Sequence, residues 1–259
     1  MNEFLALQIL WDTEGKISYT LPVGEGDNVL VLSPHPDDEA LGCGGAIIKM
    51  LLSSVHVTVA VLTDGNGGGR IREIGRIRRE EFRKARSVLG YPSACNLDYP
   101  DGHLAEYLEE LGGQLEGLLR DRPPRLVLTP YVLDYHADHQ TTNIALAHAL
   151  RNLPQGEIAV GMYEIWTPIT NPNCCLNITG EYSQKRMALK CYQSQESYFD
   201  IIAKADALST YRAGLSMRRN VKHMECFQLL KAKDYISIVG LWKNLRRQGE
   251  GYEVEYAVY

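Results

Sequence analysis

The chain contains no apolar run approaching the roughly 18 residues a membrane-spanning helix requires, so a membrane is not expected as a partner. Its apolar start, Phe4-Leu5-Ala6-Leu7-Gln8-Ile9-Leu10, follows Glu3 and precedes Asp12. With no basic region ahead of it and no small-residue cleavage site, it does not read as a secretory leader, and a cytoplasmic location is expected. Basic clustering is also missing: 27 Lys and Arg against 32 Asp and Glu give a net charge of −5 with both signs interspersed. Nucleic acid is therefore not expected as a partner. The six cysteines include no Cys-x-x-Cys pair, which excludes a zinc knuckle and leaves reduced, partly buried thiols. No Gly-x-Gly-x-x-G follows the first apolar strand, which argues against a dinucleotide site. The glycine-rich stretch Asp64-Gly65-Asn66-Gly67-Gly68-Gly69-Arg70 lacks the Gly-Lys-Ser/Thr ending of a phosphate loop. It also lacks the glutamate of a calcium loop, whose twelfth place is taken by Gly75. A flexible, substrate-facing loop is the expectation there.

What is present is 259 residues with 45% apolar content, enough for one large α/β domain spanning 1–259. Residues 8–11 and 16–20 alternate around Asp12-Thr13-Glu14-Gly15 and predict a hairpin within an N-terminal extension, 1–27. From residue 28 the pattern changes to continuous Val-, Ile- and Leu-rich runs at 29–32, 55–62, 126–128 and 158–165. Strands buried on both faces of a parallel sheet have this composition. Helical stretches at 45–52, 71–89, 104–119 and 141–150 alternate with them, and a longer helix is predicted over 183–207. The expected fold is a Rossmann-like, mostly parallel sheet with helices on both faces and its site at the carboxyl ends of the strands. Residues 28–200 form the expected core and 201–259 an elaboration. The tail, Tyr252-Glu253-Val254-Glu255-Tyr256-Ala257-Val258-Tyr259, alternates like a strand and suits pairing with the hairpin or a homo-oligomer contact.

Two predicted strand ends crowd imidazoles with carboxylates. Ser33-Pro34-His35-Pro36-Asp37-Asp38-Glu39 follows the first strand, and Asp134-Tyr135-His136-Ala137-Asp138-His139 follows the run at 126–128. Either cluster alone is as consistent with capping or solvated surface. Both on one sheet edge point to a shared metal, and two histidines with a carboxylate and an open position suit catalytic zinc or ferrous iron.

The residues 33–45, SPHPDDEALGCGG, resemble the (A/S)HPDDE…GCGG signature of the LmbE-like, or PIG-L, family of zinc-dependent de-N-acetylases. His136-Ala137-Asp138-His139 resembles that family's second motif, His-Pro-Asp-His, with Ala137 replacing the proline. Thr63-Asp64-Gly65, the helix carrying Arg78, Glu81, Ala85 and Leu89-Gly90, the turn Pro100-Asp101-Gly102-His103-Leu104, and Ala188 with Tyr192, Ser194 and Gln195 extend the likeness over approximately 28–200.

The resemblance implies one Zn2+ per chain on His35, Asp38 and His139, with Asp37 as general base. It further implies hydrolysis of an N-acetyl group from an N-acetylglucosamine-containing small molecule or glycoconjugate, by water activated at the metal. His136, oriented by Asp138, is expected to be cationic and to stabilise the oxyanion, and Glu39 to be structural. Arg70, Asp101 and His103 are candidates for substrate contact, with solvated turn positions as the competing reading. The run 76–84 reads as a charged helix face, His56 and His148 as structural histidines, and Tyr182, Tyr192, Tyr198 and Tyr211 either as rings beside a sugar or, at least as readily, as helix packing. Two other functions are carried forward: an amidase acting on a different N-acyl amide, such as an antibiotic or thiol conjugate, and a non-catalytic metal-stabilised binding protein.

Overall fold

In the computed structural model, which describes residues 17–154 and 158–248, the first strand lies inside the sheet. Strand β1 (Asn28–Ser33) pairs in parallel with β2 (His56–Thr63) on one side and β4 (Leu126–Pro130) on the other. β3 (Ser93–Tyr99) extends the parallel ladder beyond β2, and β5 (Ala159–Tyr163) extends it beyond β4. Two antiparallel pairings complete seven strands in the order β3-β2-β1-β4-β5-β7-β6, with β7 (Met224–Lys231) between β5 and β6 (Cys174–Asn177).

The period of two in β1 divides its side chains between two cores. Val29 and Val31 enter one layer and Leu30 and Leu32 the other, and all four are buried. The first layer holds α1 (Asp38–Leu52), α2 (Ile74–Leu89) and α5 (Tyr182–Leu189). The second holds α3 (Leu108–Asp121), α4 (Ala137–Arg151) and α8 (Ala232–Gln248). No described helix is long and apolar enough to cross a membrane.

Several elements depart from the sequence expectation. The first strand of the predicted hairpin and the tail at 252–259 lie outside the described residues. Ser18 forms a bridge to Cys174 at the β6 edge. The helix expected over 183–207 is three: α5, α6 (Gln193–Phe199) and α7 (Ile201–Ala213). Asp200, at φ 49°, breaks the run between the last two. The break before α6 turns Ser194 inward, where its N–H and hydroxyl donate to Glu81 at 2.8 and 2.6 Å. Helical periodicity does not register such a tertiary anchor. The segment after residue 200, read as an elaboration, supplies β7, a strand internal to the sheet.

Helix α1 starts earlier than expected, at Asp38, and kinks at Cys43 (φ −143°). The N–H groups freed past the kink, at Gly45 and Ala46, donate to Glu225 on β7 at 2.8 and 2.7 Å. Lys185 pairs with that buried carboxylate at 2.6 Å. The glycines of this segment permit close approach: a Cβ at Gly42 would lie 2.2 Å from Tyr163 Cδ2. The Tyr163 hydroxyl donates to Leu32 O at 2.6 Å, which fixes the ring that Gly42 of α1 packs against.

Candidate metal centre

Pro34 and Pro36 flank His35 where β1 ends, and α1 begins directly after Asp37. Asp37 sits at φ 132°, ψ −27°, a region that disfavours any residue with a Cβ. In this conformation its carboxylate meets the Arg78 guanidinium at 3.3 Å. Across the β1/β4 boundary, α4 begins after His136 and carries Asp138 and His139 in its first turn.

The sheet brings the two loops into contact. His35 Nδ1 stands 3.1 Å from Asp38 Oδ2, and His139 Nε2 stands 3.3 Å from both that oxygen and His35 Nδ1. Ligand atoms held tetrahedrally at the roughly 2.0–2.1 Å typical of zinc are about 3.3–3.4 Å apart, so this triangle has the dimensions of one face of such a site. The far nitrogen of each histidine meets carboxylates. His35 Nε2 is 3.2 Å from both Asp101 Oδ1 and Asp138 Oδ2, and His139 Nδ1 is 3.1 Å from Asp134 Oδ1. Carboxylates behind the rings place the protons there and leave the converging nitrogens as lone pairs, the arrangement that orients metal-binding imidazoles. The residues present therefore fit a divalent cation. Two further groupings, His35 with His136 and His139, and His35 with Asp101 and Asp138, also bring ligand atoms within 4.8 Å of one another.

Electrostatics suit the cluster to a cation. Five aspartates surround the histidines, and Arg78 contacts two of them, at 3.3 Å from Asp37 and 3.2 Å from Asp101. Burial acts against charge on Asp38, Asp101, Asp134 and Asp138, yet the neighbouring imidazoles hold all four below the usual carboxylate range. Burial opposes protonation of His139 too, but the Asp38 and Asp134 carboxylates carry it up to about 9. His35 is likewise lowered by burial and raised overall by Asp101, Asp138 and Asp38. A divalent cation held by these nitrogens would take the place of those protons. Asp37 behaves differently: burial raises it to about 7, with Arg78 opposing.

The charge and the anchoring of His136 differ from the expectation. Burial, reinforced by His35 and His139, pulls His136 down to about 4, so its imidazole is neutral near pH 7. The ring is oriented by the Asp138 backbone N–H, which donates to His136 Nδ1 at 3.2 Å. The Asp138 carboxylate is engaged elsewhere, accepting from Gly102 N at 2.7 Å and Leu104 N at 3.1 Å and facing His35. His136 thus presents Nε2–H as a neutral donor. Asp101 turns inward, accepting from Arg78 and from Gly67 N at 3.1 Å. His103 is exposed and pairs with Glu106, and Arg70 is exposed at the end of the glycine-rich loop. That loop is tied through Asp64, Asn66, Gly67 and Gly68, the last accepting from Gln195 at 3.0 Å.

Two residues at the site carried no role in the sequence reading. Arg78, part of the supposed charged face of α2, is 3% exposed and binds Pro36 O, Gly65 O, Asp37 and Asp101. Asp134, fully buried, accepts from His136 N, Trp166 N and Thr167 N at 3.0, 2.9 and 3.1 Å while facing His139. Its place within the Asp-Tyr-His-Ala-Asp-His cluster was the available signal. Glu39, raised by burial to about 7, accepts from Tyr192 OH at 2.6 Å and Asp37 N at 3.2 Å beneath the site.

The sequence model of the GlcNAc-PI de-N-acetylase family, PIG-L, matches residues 30–150, the segment that delivers both clusters. An uncharacterized deacetylase of Escherichia coli K12, YaiS, is 30% identical over 134 residues, covering 49% of this chain and 70% of that protein. The chain belongs to the PIG-L family. Another member of similar sequence, the diacetylchitobiose deacetylase of Thermococcus kodakarensis, is 29% identical over 197 residues, covering 67% of this chain and 72% of its own. The crystal structure of N,N'-diacetylchitobiose deacetylase from Pyrococcus horikoshii superposes with a TM-score of 0.72 at 23% identity, over 91% of this chain and 95% of that one. At that identity the likeness is one of fold, and the α/β architecture of the PIG-L family is the one described above.

Proposed function

We propose that this PIG-L protein is a zinc-dependent N-deacetylase that hydrolyses the acetamide of an N-acetylglucosamine-type sugar within a small molecule or glycoconjugate. The observation that carries the reading is the His35–Asp38–His139 triangle, with ligand atoms 3.1–3.3 Å apart, beside a carboxylate poised near neutrality. The names of its relatives support an amino-sugar amide as the bond. A divalent ion held by His35, Asp38 and His139 would polarise the amide carbonyl and make water acidic enough to attack it.

Asp37, with a pKa near the operating pH, takes a proton from the attacking water and returns it to the departing nitrogen. The C–N bond breaks, a C–O bond forms, and acetate and a free amine result. Arg78 holds Asp37 in place and limits the rise in its pKa. His136, neutral and fixed through Nδ1, donates from Nε2 to the oxyanion as it develops, a contribution of about 3 kcal/mol where such donors are removed.

The test is amine release from a panel of N-acetylglucosaminides and other N-acyl amides, by metal-quantified protein beside Asp37→Ala. Release from a sugar that disappears in Asp37→Ala with metal content unchanged is expected. Full metal occupancy with no release from any N-acetylated sugar refutes the reading.

A further inference from the structure

Four aromatic rings, Tyr135, Trp166, Phe199 and Tyr198, contact one another in a series that begins at the residue before His136, and the mechanism uses none of them. Tyr135 immediately precedes His136, whose ring lies 4.5 Å from that of His35. The Tyr135 ring is 51% exposed, while its backbone N–H donates to Thr167 Oγ1 at 3.2 Å. Trp166 stands behind it, ring centroids 6.3 Å apart and planes tilted by 42°. Trp166 is braced in turn by Phe199 at 5.6 Å and by the Lys204 ammonium at 4.7 Å from its ring centre. Tyr198, half exposed, continues the arc at 6.3 Å from Phe199 and reaches Gly69 of the glycine-rich loop, where a Cβ would stand 3.2 Å from the Tyr198 ring.

The arc is tied to the metal centre through a single carboxylate. Asp134 Oδ2 accepts from Trp166 N and Thr167 N, while its Oδ1 faces His139. The group that orients a metal ligand therefore also fixes the brace behind Tyr135. The backbones that carry Tyr135 and Trp166 are fixed by hydrogen bonds to Thr167 and to the buried Asp134, so the two rings are presented at a set position.

We propose that Tyr135, backed by Trp166, is the platform for the part of the substrate beyond the N-acetylated sugar, and that it selects an aglycone presenting a flat ring face. The inference rests on the deacetylase reading and deepens it. A pyranose offers a C–H face and an aromatic aglycone a π face, and both stack on a phenol ring. Lys204 and Phe199 pack against Trp166, and of the two half-exposed rings, Tyr135 and Tyr198, it is Tyr135 that adjoins His136.

The test compares binding of three ligands to the full-length, zinc-loaded protein in the Asp37→Ala background, by calorimetry. They are methyl N-acetylglucosaminide, N,N'-diacetylchitobiose and p-nitrophenyl N-acetylglucosaminide. At least one ring-bearing ligand is expected to bind on the order of tenfold tighter than the methyl glycoside, with Tyr135→Ala erasing that ratio and Tyr135→Phe keeping it. A preference for the disaccharide alone identifies a second sugar, and a preference for the nitrophenyl glycoside alone identifies an aromatic aglycone. Absence of the ratio with Tyr135 present, or its survival in Tyr135→Ala, overturns the proposal. Amine release by protein with Asp37 intact is followed in parallel. No release despite the binding ratio sinks the deacetylase reading and leaves the platform standing, whereas release without the ratio sinks the platform alone.

Discussion

Replacing Asp134 by asparagine probes the link between the metal centre and the rest of the fold. The side chain is fully buried and its two oxygens face different donors: His136 N–H and the His139 ring on one side, Trp166 N–H and Thr167 N–H on the other. An amide has one acceptor oxygen, so in Asp134→Asn either orientation of the new side chain turns an NH2 toward two N–H groups. A buried donor left without its acceptor costs about 1–3 kcal/mol, and two such donors give a loss of about 2–6 kcal/mol. For a domain of this size that is a fall in Tm on the order of 10 °C. Loss of the carboxylate behind His139 also removes the charge that makes the ring a strong ligand, which typically weakens metal affinity about 10–100-fold. Thermal unfolding of the metal-free protein and competition for zinc against a chelator read the two effects separately. Metal-free protein melting within about 2 °C of the parent, with zinc affinity within about twofold, would refute both the hydrogen-bond accounting and the role assigned to Asp134.

The pH profile supplies a second prediction. As the proposed base, Asp37 must be ionised to accept a proton, so kcat/KM is expected to fall as pH drops through its pKa, which burial raises to about 7. Arg78 opposes that rise, so Arg78→Gln is expected to move the acid limb to higher pH and Arg78→Lys to hold it nearer the parent. An unmoved limb in Arg78→Gln contradicts the pairing. Backbone strain gives a third: at φ 132°, glycine at position 37 should be more stable than alanine by about 1–3 kcal/mol in denaturant titrations, with both variants inactive. Equal stabilities would show that the strain is not there.

Much of the α/β architecture was legible because strands buried on two faces leave continuous apolar runs. Elements without such runs were missed. β3, Ser-Ala-Cys-Asn-Leu-Asp-Tyr, is a half-exposed edge strand of mixed composition. β7 and α8 fell in a segment without clear periodicity, and β7 owes its place to antiparallel pairing with β5 on one side and β6 on the other.

By itself the sequence determined which chemistry was available. Imidazoles and carboxylates crowd two strand ends, spacing within each loop is set by covalent geometry, and the family resemblance assigned ligands and base. What tertiary structure decided were properties that depend on partners remote in the chain. Arg78 lies on α2 with the spacing of a surface charge, and folding puts its guanidinium between Asp37 and Asp101. His136 and His139 are three residues apart in similar company. One is pulled down by burial and by its fellow imidazoles, while the other is raised by Asp38 and Asp134. Desolvation and Coulomb attraction at a few ångströms set those charges, and neither can be read from order along the chain.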